Sequence, residues 1–279
     1  MIPPGTEARG RLVVCPTPIG NLEDVTLRVL ASLRDAHVVA CEDTRRTRVL
    51  LERYGVNASL ISYHEHNERE RTPQLLERMR EGSVVALVSD AGMPLVSDPG
   101  FVLVRACALA GLGVEVLPGP SAPVAALVAS ALPAETWRFV GFLPRRARDL
   151  VAVLDGAETV VAFEAPGRVG ASLRALADAD AQREVAVCRE LTKVHEEVVR
   201  GTAGELASRY EAQAPRGEVV LVVAGAAASS PEAASQAAAV NALRRLVEAG
   251  ARARPAAGVV AELTGVRANT LYRALTEGR

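Results

Sequence analysis

Apolar runs and amphipathic segments alternate through the first 118 residues. Short apolar runs, such as those in residues 11–17 and 83–90, predict buried strands. Between them, residues 21–36, 44–55 and 71–82 place apolar side chains three or four positions apart, which is typical of helices. Strands that alternate with helices predict a mostly parallel sheet with helices on its faces.

The pattern changes after residue 118. Residues 121–132 predict a helix of small side chains, and residues 138–143 and 158–166 predict strands with a basic segment between them. A helix over 167–180 precedes two further strands in 183–191 and 218–225, which are separated by the segment 195–206. Strands that follow one another over short links predict a mixed sheet.

Composition suggests where the domains begin and end. We expect a flexible tail over 1–10, an N-terminal α/β lobe over 11–118 and a C-terminal α/β lobe over 119–225. The Ala/Ser-rich stretch 226–238 predicts a linker, and 239–279 predicts three short helices of helix-turn-helix type. The alternative for this last segment is a small helical cap that packs on the body.

Charge and cysteine content narrow the functional class. The 279 residues carry a formal net charge of -1, so any site for a polyanion must be a local patch. The four cysteines have no metal-ligand spacing and predict reduced, buried thiols in a cytoplasmic protein. Neither a signal peptide nor a membrane span is predicted, because the N-terminus lacks an apolar segment and prolines interrupt residues 116–134.

Candidate chemistry begins where the predicted strands end. The stretch 86–100 contains two Ser-Asp pairs, Ser89-Asp90 and Ser97-Asp98, around turn residues. Residues 116–122 repeat the arrangement, with Ser121 at a helix start. Two such turns at strand ends predict a small-molecule cleft. Neither G-x-G-x-x-G nor a P-loop occurs, so nothing indicates a nicotinamide or P-loop nucleotide site.

Two further polar segments are candidates for catalysis. Glu42 and Asp43 end a predicted strand, and three arginines follow in the first turns of a helix, which opposes its dipole and suggests a bound anion. The alternative is that these arginines are solvated and pair with nearby carboxylates. His64, Glu65 and His66 suit polar recognition or proton transfer, or form an exposed loop; no third ligand completes a metal site, so none is predicted.

The motifs together resemble a known family. "TPIGNLEDVT", "CEDTRRT", "HEHNE", "SDAGMPLVSDPG", "PGPSA", "FEAPGR" and "RELTKVHEEVVRGT" occur in this order over about residues 11–225. In this order they resemble the tetrapyrrole-methylase superfamily and, within it, the ribosomal RNA small-subunit methyltransferase I family. The resemblance implies a two-lobed class III methyltransferase fold with a small helical extension, and a homodimer. It also implies S-adenosylmethionine in the cleft and methylation of the ribose 2′-hydroxyl of a cytidine in the decoding region of 16S rRNA.

The resemblance also implies which residues meet the cofactor. Carried over by position, they are Pro18, Val88, Ser89, Asp90, Met93, Ser121, Ala122, Glu164 and Leu191. Met93 stands where this branch usually has threonine, and Gly167 where it usually has histidine. The first loop, Cys15-Pro16-Thr17-Pro18, has the form of the rRNA branch and argues against a corrin substrate.

Methyl transfer to a ribose hydroxyl benefits from a nearby base. We expect it among Glu42, Asp43, His64, Glu65 and Glu190, or at Lys193 if burial lowers the pKa of that amine. The small ribosomal subunit is the expected partner, and the candidate RNA contacts are Arg45, Arg46, Arg145, Arg146 and Arg168.

Three alternatives stay open at this point. One is a corrin or sirohaem-precursor C-methyltransferase with the same fold and cofactor. Another is a regulator that reads DNA with its C-terminal helices. The third is a structural dimer with a degenerate site.

Overall fold

The computed structural model describes residues 10–226 and 231–277, so most of the predicted tail 1–10 lies outside it. The chain divides into two compact units, one up to Ala224 and one from Gly225 onwards. The first unit contains two five-stranded sheets. We call the part built on the first sheet the N-terminal lobe and the part built on the second sheet the C-terminal lobe.

The N-terminal lobe is a parallel sheet with the strand order β3-β2-β4-β1-β5. Its strands are β1 (Arg11–Val14), β2 (Val38–Cys41), β3 (Leu60–Ser62), β4 (Val84–Val88) and β5 (Gly113–Val116). The connecting helices are α1 (Leu27–Asp35), α2 (Thr44–Arg53), α3 (Glu68–Arg80) and α4 (Phe101–Leu109). Because all five strands are parallel, their carboxyl ends share one edge, where ligand sites of such sheets lie.

The C-terminal lobe is a mixed sheet with the order β6-β7-β10-β8-β9, in which only β6 and β7 are parallel. Its strands are β6 (Trp137–Phe142), β7 (Thr159–Glu164), β8 (Glu184–Arg189), β9 (Glu197–Thr202) and β10 (Val219–Val223). Its helices are α5 (Ala122–Ser130), α6 (Ala147–Leu154), α7 (Val169–Ala179) and α8 (Ala203–Ala212). The predicted α/β class with a parallel and a mixed sheet is confirmed.

Strand β10 shows why this second sheet is covered on both faces. Val219, Leu221 and Val223 pack with the α6–α8 side, whereas Val220 and Val222 pack with residues of α5. Side chains of a strand alternate between its two faces, so a continuous run of buried valines requires apolar partners on both. The four cysteines are free and buried, as predicted.

Three elements differ from the sequence-based expectation. Strand β9 forms within the segment 195–206, and helix α8 begins in that segment and continues to Ala212. A capping box between Thr202 and Glu205 starts this helix. Helix α9 (Pro231–Glu248) begins inside the stretch predicted as a linker, since alanine is the strongest helix former. Residues 227–230 of that stretch lie outside the described part.

The second unit contains α9, α10 (Ala253–Thr264) and α11 (Ala268–Glu277). Leu243, Val260 and Leu271 are among the residues of its core, one from each helix. Helix α10 ends at Gly265, whose φ of 75° is favourable only for glycine, and α11 begins three residues later. The turn between the two helices thus consists of residues 265–267.

Candidate active site

A cleft lies between the two lobes of the first unit, with a cavity of about 420 Å³. The N-terminal lobe lines it with Ile19, Ala91 and residues 96–98. The C-terminal lobe supplies the rest of the wall, consisting of Ala122, Phe142, residues 163–166 and residues 217–220. A largely apolar cavity of this size with a few polar groups is typical of a site for a small ligand.

Two loops of the N-terminal lobe are tied together at the floor of this cleft. Thr17 and Gly92 exchange backbone hydrogen bonds of 2.9 Å in both directions. The Thr17 hydroxyl donates to the Ser89 carbonyl at 3.0 Å, and the buried Ser89 hydroxyl donates to the Gly92 carbonyl at 3.1 Å. Gly92 has a φ of 80°, and a Cβ on it would lie 3.3 Å from Ile19. The strand ends of β1 and β4 are therefore held as one surface.

The predicted cofactor residues of this lobe gather around that surface. Pro18, Val88 and Ser89 are buried within it, and Met93 is half-buried beside the core of the lobe. None of these four lines the cleft, which meets the neighbouring Ile19 and Ala91 instead. They form the layer beneath the cleft surface.

The start of α5 forms another part of the wall. Ser121 precedes the helix and makes no side-chain capping bond, and Ala122 lines the cleft. Pro120 lies close to the first lobe, with its carbonyl 3.7 Å from the Cβ position of Gly92. The Ser121 hydroxyl and the first N–H groups of α5 are thus free of a side-chain cap at the cleft.

Glu164 lines the cleft, but its carboxylate is held within the protein. One oxygen accepts from the Ser172 hydroxyl at 2.5 Å, and the other accepts from the Ala165 N–H at 2.8 Å and lies 3.3 Å from Arg168. The side chain is fully buried. Three partners leave this carboxylate little capacity for a ligand, so Glu164 shapes the wall.

A second cavity of about 460 Å³, which we call the acidic pocket, opens beside the carboxyl ends of β2 and β4. Among its lining residues are Glu42, Asp43, His64 and Asp90, which the sequence singled out, and also His66. Glu65 is exposed and does not line it. Because Asp90 lines the acidic pocket and Ala91 lines the cleft, the two cavities share the loop after β4.

Two carboxylates of the acidic pocket, Glu42 and Asp43, have pKa values shifted in opposite directions. Burial, together with the charge of Asp90, raises the pKa of Glu42. Hydrogen bonds from the side chain and backbone of Arg45 hold the pKa of Asp43 far below its ordinary range. Asp43 also caps α2, since its carboxylate accepts from the Arg45 N–H at 2.8 Å. Asp43 is therefore a helix cap and a weak base, whereas Glu42 has the chemistry of a proton acceptor.

His64 is oriented by its own turn. Asn67 donates to the Ser62 carbonyl at 3.2 Å, and its amide nitrogen lies 3.3 Å from His64 Nε2. When Asn67 donates to Nε2, the ring proton sits on Nδ1, a buried nitrogen with no hydrogen-bond partner among the described residues. The histidine ring is thus fixed in place beside Glu42.

Asp98 is a cleft residue that was not among the residues predicted from the sequence, although it belongs to the second Ser-Asp pair. Asp98 lines the cleft, where burial, Glu42 and Asp90 raise the pKa of its carboxyl to about 6. Asp98 and Glu42 lie far apart in the sequence, so the effect of Glu42 on the pKa of Asp98 could not be predicted from it. The signal available in the sequence was a polar pair in a turn-rich segment directly after β4.

Comparison with known proteins identifies the family. The family model of the Tetrapyrrole (Corrin/Porphyrin) Methylases matches residues 11–207. A protein of Mesorhizobium japonicum named ribosomal RNA small subunit methyltransferase I is 45% identical over 95% of this chain and 91% of its own length. The chain belongs to the ribosomal RNA small subunit methyltransferase I family of tetrapyrrole methylases. The predicted resemblance is confirmed.

Further relatives are similar over the body of the chain. The methyltransferase I of Thermotoga maritima is 43% identical over 77% of this chain and 99% of its own length. Uroporphyrin-III C-methyltransferase of Thermus thermophilus, solved in complex with S-adenyl homocysteine, has a TM-score of 0.56 and 21% identity, and the match covers 77% of this chain and 97% of that one. At this identity the structural likeness shows a common fold.

Lys193, a predicted catalytic residue, forms ion pairs with two carboxylates of the C-terminal lobe. Its ammonium lies 2.9 Å from Glu190 and 3.0 Å from Glu218. Burial alone lowers the pKa of Lys193, but the bonds to Glu190 and Glu218 outweigh it, and the pKa is raised above the ordinary value. The condition for Lys193 to act as a base, a lowered pKa, is therefore not met. Glu190 is committed too, because its bond with Lys193 lowers its own pKa.

The same loop joins the two lobes. The Asn21 N–H donates to the Thr192 hydroxyl at 3.0 Å, and a Cβ on Gly20 would lie 3.0 Å from the Leu191 carbonyl. Leu191, a predicted cofactor residue, is buried at this junction and does not line the cleft. Lys193 thus belongs to a loop that contacts the N-terminal lobe, while its ammonium pairs with carboxylates of its own lobe.

The predicted RNA-contacting arginines fall into two groups. Arg145 and Arg146 are exposed just after β6. Arg168 instead donates to the carbonyls of Leu143 and Pro144, at 3.3 and 2.7 Å, and so fixes the loop that carries them. In the other group, Arg45 pairs with Asp43 at 2.7 Å and Arg46 lies 3.5 Å from Asp90.

Neither a metal-binding cluster nor a membrane-spanning helix is found in the part of the chain that the structure describes. No group of three or more His, Cys, Asp or Glu side chains in 10–226 and 231–277 is arranged to hold a metal ion. Over the same ranges, every helix is too short or too polar to cross a bilayer.

Proposed function

We propose that this protein methylates the ribose 2′-hydroxyl of a cytidine in the decoding region of 16S rRNA, with S-adenosylmethionine as the methyl donor. The observation that carries the proposal is 45% identity, over 95% of the chain, to a ribosomal RNA small subunit methyltransferase I. The cleft between the lobes supports it, because it provides a site for the donor beside polar groups suited to a hydroxyl substrate.

The residues of the cleft fit the donor. S-adenosylmethionine supplies a methyl group on a positively charged sulfur. Apolar walls such as Ile19 and Val220 suit the body of this molecule. The uncapped start of α5 at Ser121 offers N–H donors to the carboxylate of S-adenosylmethionine. These residues would hold the donor, while the buried Pro18, Val88, Ser89 and Met93 support them.

The acidic pocket is our proposed entrance for the ribose. Glu42 and His64 line it, and Asp90 joins it to the cleft. Holding the hydroxyl in line with the methyl group is the main task of the protein in such a displacement. Glu42 and His64 orient the sugar, whereas Asp43 keeps the start of α2 in place.

RNA binding requires local cations, since the net charge of the protein is close to zero. Arg145 and Arg146 are exposed and lie shortly after the cleft residue Phe142 in the chain, so they are well placed for phosphates next to the reacting ribose. Arg45 and Arg46 border the acidic pocket and provide a second set. Arg168 acts indirectly, by shaping the loop of Arg145 and Arg146.

The expected partner is the small ribosomal subunit in the cytoplasm, and we propose that the protein acts as a homodimer. Val124 and Val128 support the dimer, because they lie one helical turn apart on α5 and are 47% and 76% exposed. Large apolar side chains exposed on one side of a helix are typical of protein interfaces. Light scattering of the V128D variant tests this, since a charge at the interface would yield a monomer.

The test of the function is tritium transfer from labelled S-adenosylmethionine to small ribosomal subunits, followed by nucleoside analysis. The expected product is a 2′-O-methylated cytidine. Base methylation would contradict the proposed position of transfer. Transfer to a tetrapyrrole precursor but not to subunits would support the C-methyltransferase alternative, and sequence-specific binding to duplex DNA would support the regulator.

A further inference from the structure

Three carboxylates line the cleft, and one of them is free of a cation. Glu164 lies 3.3 Å from Arg168, and Glu218 lies 3.0 Å from Lys193. Among the described residues, no arginine, lysine or histidine nitrogen comes within 4.0 Å of the Asp98 carboxylate. Asp98 is therefore the acidic group of the cleft that is available to a ligand.

The backbone that presents Asp98 is strained. Leu95 and Ser97 have φ values of 74° and 63°, in the left-handed region that side chains disfavour. The segment is nevertheless firmly held, because Leu95 packs against the core and its Cδ1 lies 2.9 Å from the Cβ position of Gly100. Ser97 faces the other lobe, 3.6 Å from the Cβ position of Gly141. Strain of this kind concentrates where a side chain must be held for function.

The surroundings of Asp98 favour proton uptake near neutral pH. Burial is the main cause of the raised pKa of about 6, and the charges of Glu42 and Asp90 add to it. The nearby Ser89 side chain opposes them. A base is most effective when its pKa lies close to the working pH, because it is then both deprotonated and able to hold a proton.

We infer that Asp98 is a catalytic residue whose carboxylate takes the proton of the substrate hydroxyl. This inference rests on the proposed function. In the step, the ribose 2′ oxygen forms a bond to the methyl carbon, and the bond between that carbon and sulfur breaks with its electron pair left on sulfur. The hydroxyl proton goes to Asp98. One positive and one negative charge disappear together, so atoms and charge balance.

Glu42 is the other carboxylate with a raised pKa, and its position distinguishes it from Asp98. Glu42 lines the acidic pocket and not the cleft, whereas Asp98 lines the cleft itself. The charge of Glu42 helps to raise the pKa of Asp98. Glu42 is therefore a positioning residue that keeps Asp98 a better base.

The experiment compares Asp98→Asn and Asp98→Glu with the wild-type protein. Steady-state tritium transfer to small ribosomal subunits is measured from pH 5 to 9, and S-adenosylmethionine affinity is measured by calorimetry. The matched control is Asp35→Asn, at an exposed carboxylate that ends α1. We expect Asp98→Asn to lower kcat by about 100-fold or more, with KM and donor affinity changed by less than about threefold. Asp98→Glu should recover part of kcat.

The pH profile separates a base from a structural residue. The wild-type rate should rise with pH through about 6, and the residual rate of Asp98→Asn should lack this inflection. The inference fails if Asp98→Asn keeps more than a third of kcat, or if it loses donor affinity instead. If the wild-type protein binds the donor but transfers no methyl to ribose, the proposed function itself fails, which is a different result.

Discussion

The Asp90 carboxylate accepts a hydrogen bond from the backbone N–H of Asp43, with 3.0 Å between nitrogen and oxygen. This bond joins the end of β4 to the start of α2, across 47 residues of sequence. The other carboxylate oxygen of Asp90 lies 3.5 Å from Arg46. Asp90 therefore shapes the acidic pocket through the backbone as well as through its charge.

Replacing Asp90 by alanine should lower stability, because the Asp43 N–H loses its acceptor in a partly buried place. We expect Asp90→Ala to reduce the free energy of unfolding by about 1–3 kcal/mol. Asp90→Asn keeps the acceptor oxygen and loses only the 3.5 Å ion pair with the exposed Arg46, so it should cost less than about 1 kcal/mol. Urea unfolding curves measure both, and equal losses would contradict the assignment.

A control for this experiment is Thr202→Ala, which removes one bond of the capping box of α8. It should cost about 1 kcal/mol of stability. Because Thr202 lines neither cavity, kcat should stay at the wild-type value. Asp90→Ala should lower kcat as well as stability.

Lys193 should behave as a structural cation. Arginine cannot act as a base in a protein, but it pairs well with carboxylates. We expect Lys193→Arg to keep kcat within about threefold of the wild type, whereas Lys193→Ala, which leaves Glu190 and Glu218 unpaired, should lower it by more than tenfold. Steady-state methyl transfer at pH 7.5 is the measurement. Complete loss of activity in Lys193→Arg would instead indicate that Lys193 acts as a base.

Asp98→Asn should stabilise the protein at pH 8 while it removes activity. Burial raises the pKa of Asp98 to about 6 in the folded protein, so the folded state takes up a proton more readily than the unfolded state does. Wild-type stability is therefore lost as pH rises from about 4 to about 6, and it stays lower above that range. The asparagine avoids the buried charge and should gain about 1–2 kcal/mol, less than the full shift because of solvent screening.

Thermal unfolding measures this effect. The melting temperature of Asp98→Asn should exceed that of the wild type by a few degrees at pH 8, and the difference should disappear near pH 4. A gain that persists unchanged at pH 4 would show a cause other than ionisation of Asp98.

The arginines after β6 should contribute to RNA affinity in a salt-dependent manner. Each phosphate contact that is lost should reduce the slope of log affinity against log salt by about 1, so Arg145→Ala with Arg146→Ala should reduce it by about 2. Filter binding of small ribosomal subunits from 50 to 300 mM salt measures the slope. The control is Arg78→Ala with Arg80→Ala, two exposed arginines of α3 that line neither cavity. Equal slopes in both double variants would contradict the proposed RNA surface.

Much of the fold was predictable from local patterns. The apolar runs of β4 and β10 are buried as the sequence indicates. Helix α8 was missed although its signal, Thr202 followed three residues later by Glu205, is present in the sequence. The start of α9 was placed too late because an Ala/Ser-rich stretch suits both a linker and a helix.

The sequence by itself determined the family, the alternation of strands and helices in the N-terminal lobe, and which polar residues follow β2 and β4, because each of these depends on residues close together along the chain. Only the tertiary structure decided the roles of individual groups. Asp43 caps a helix, Lys193 is paired with two carboxylates, and Asp98 holds a raised pKa beside Glu42. The physical reason is that protonation and hydrogen bonding depend on burial and on charges nearby in space, which chain distance does not reveal.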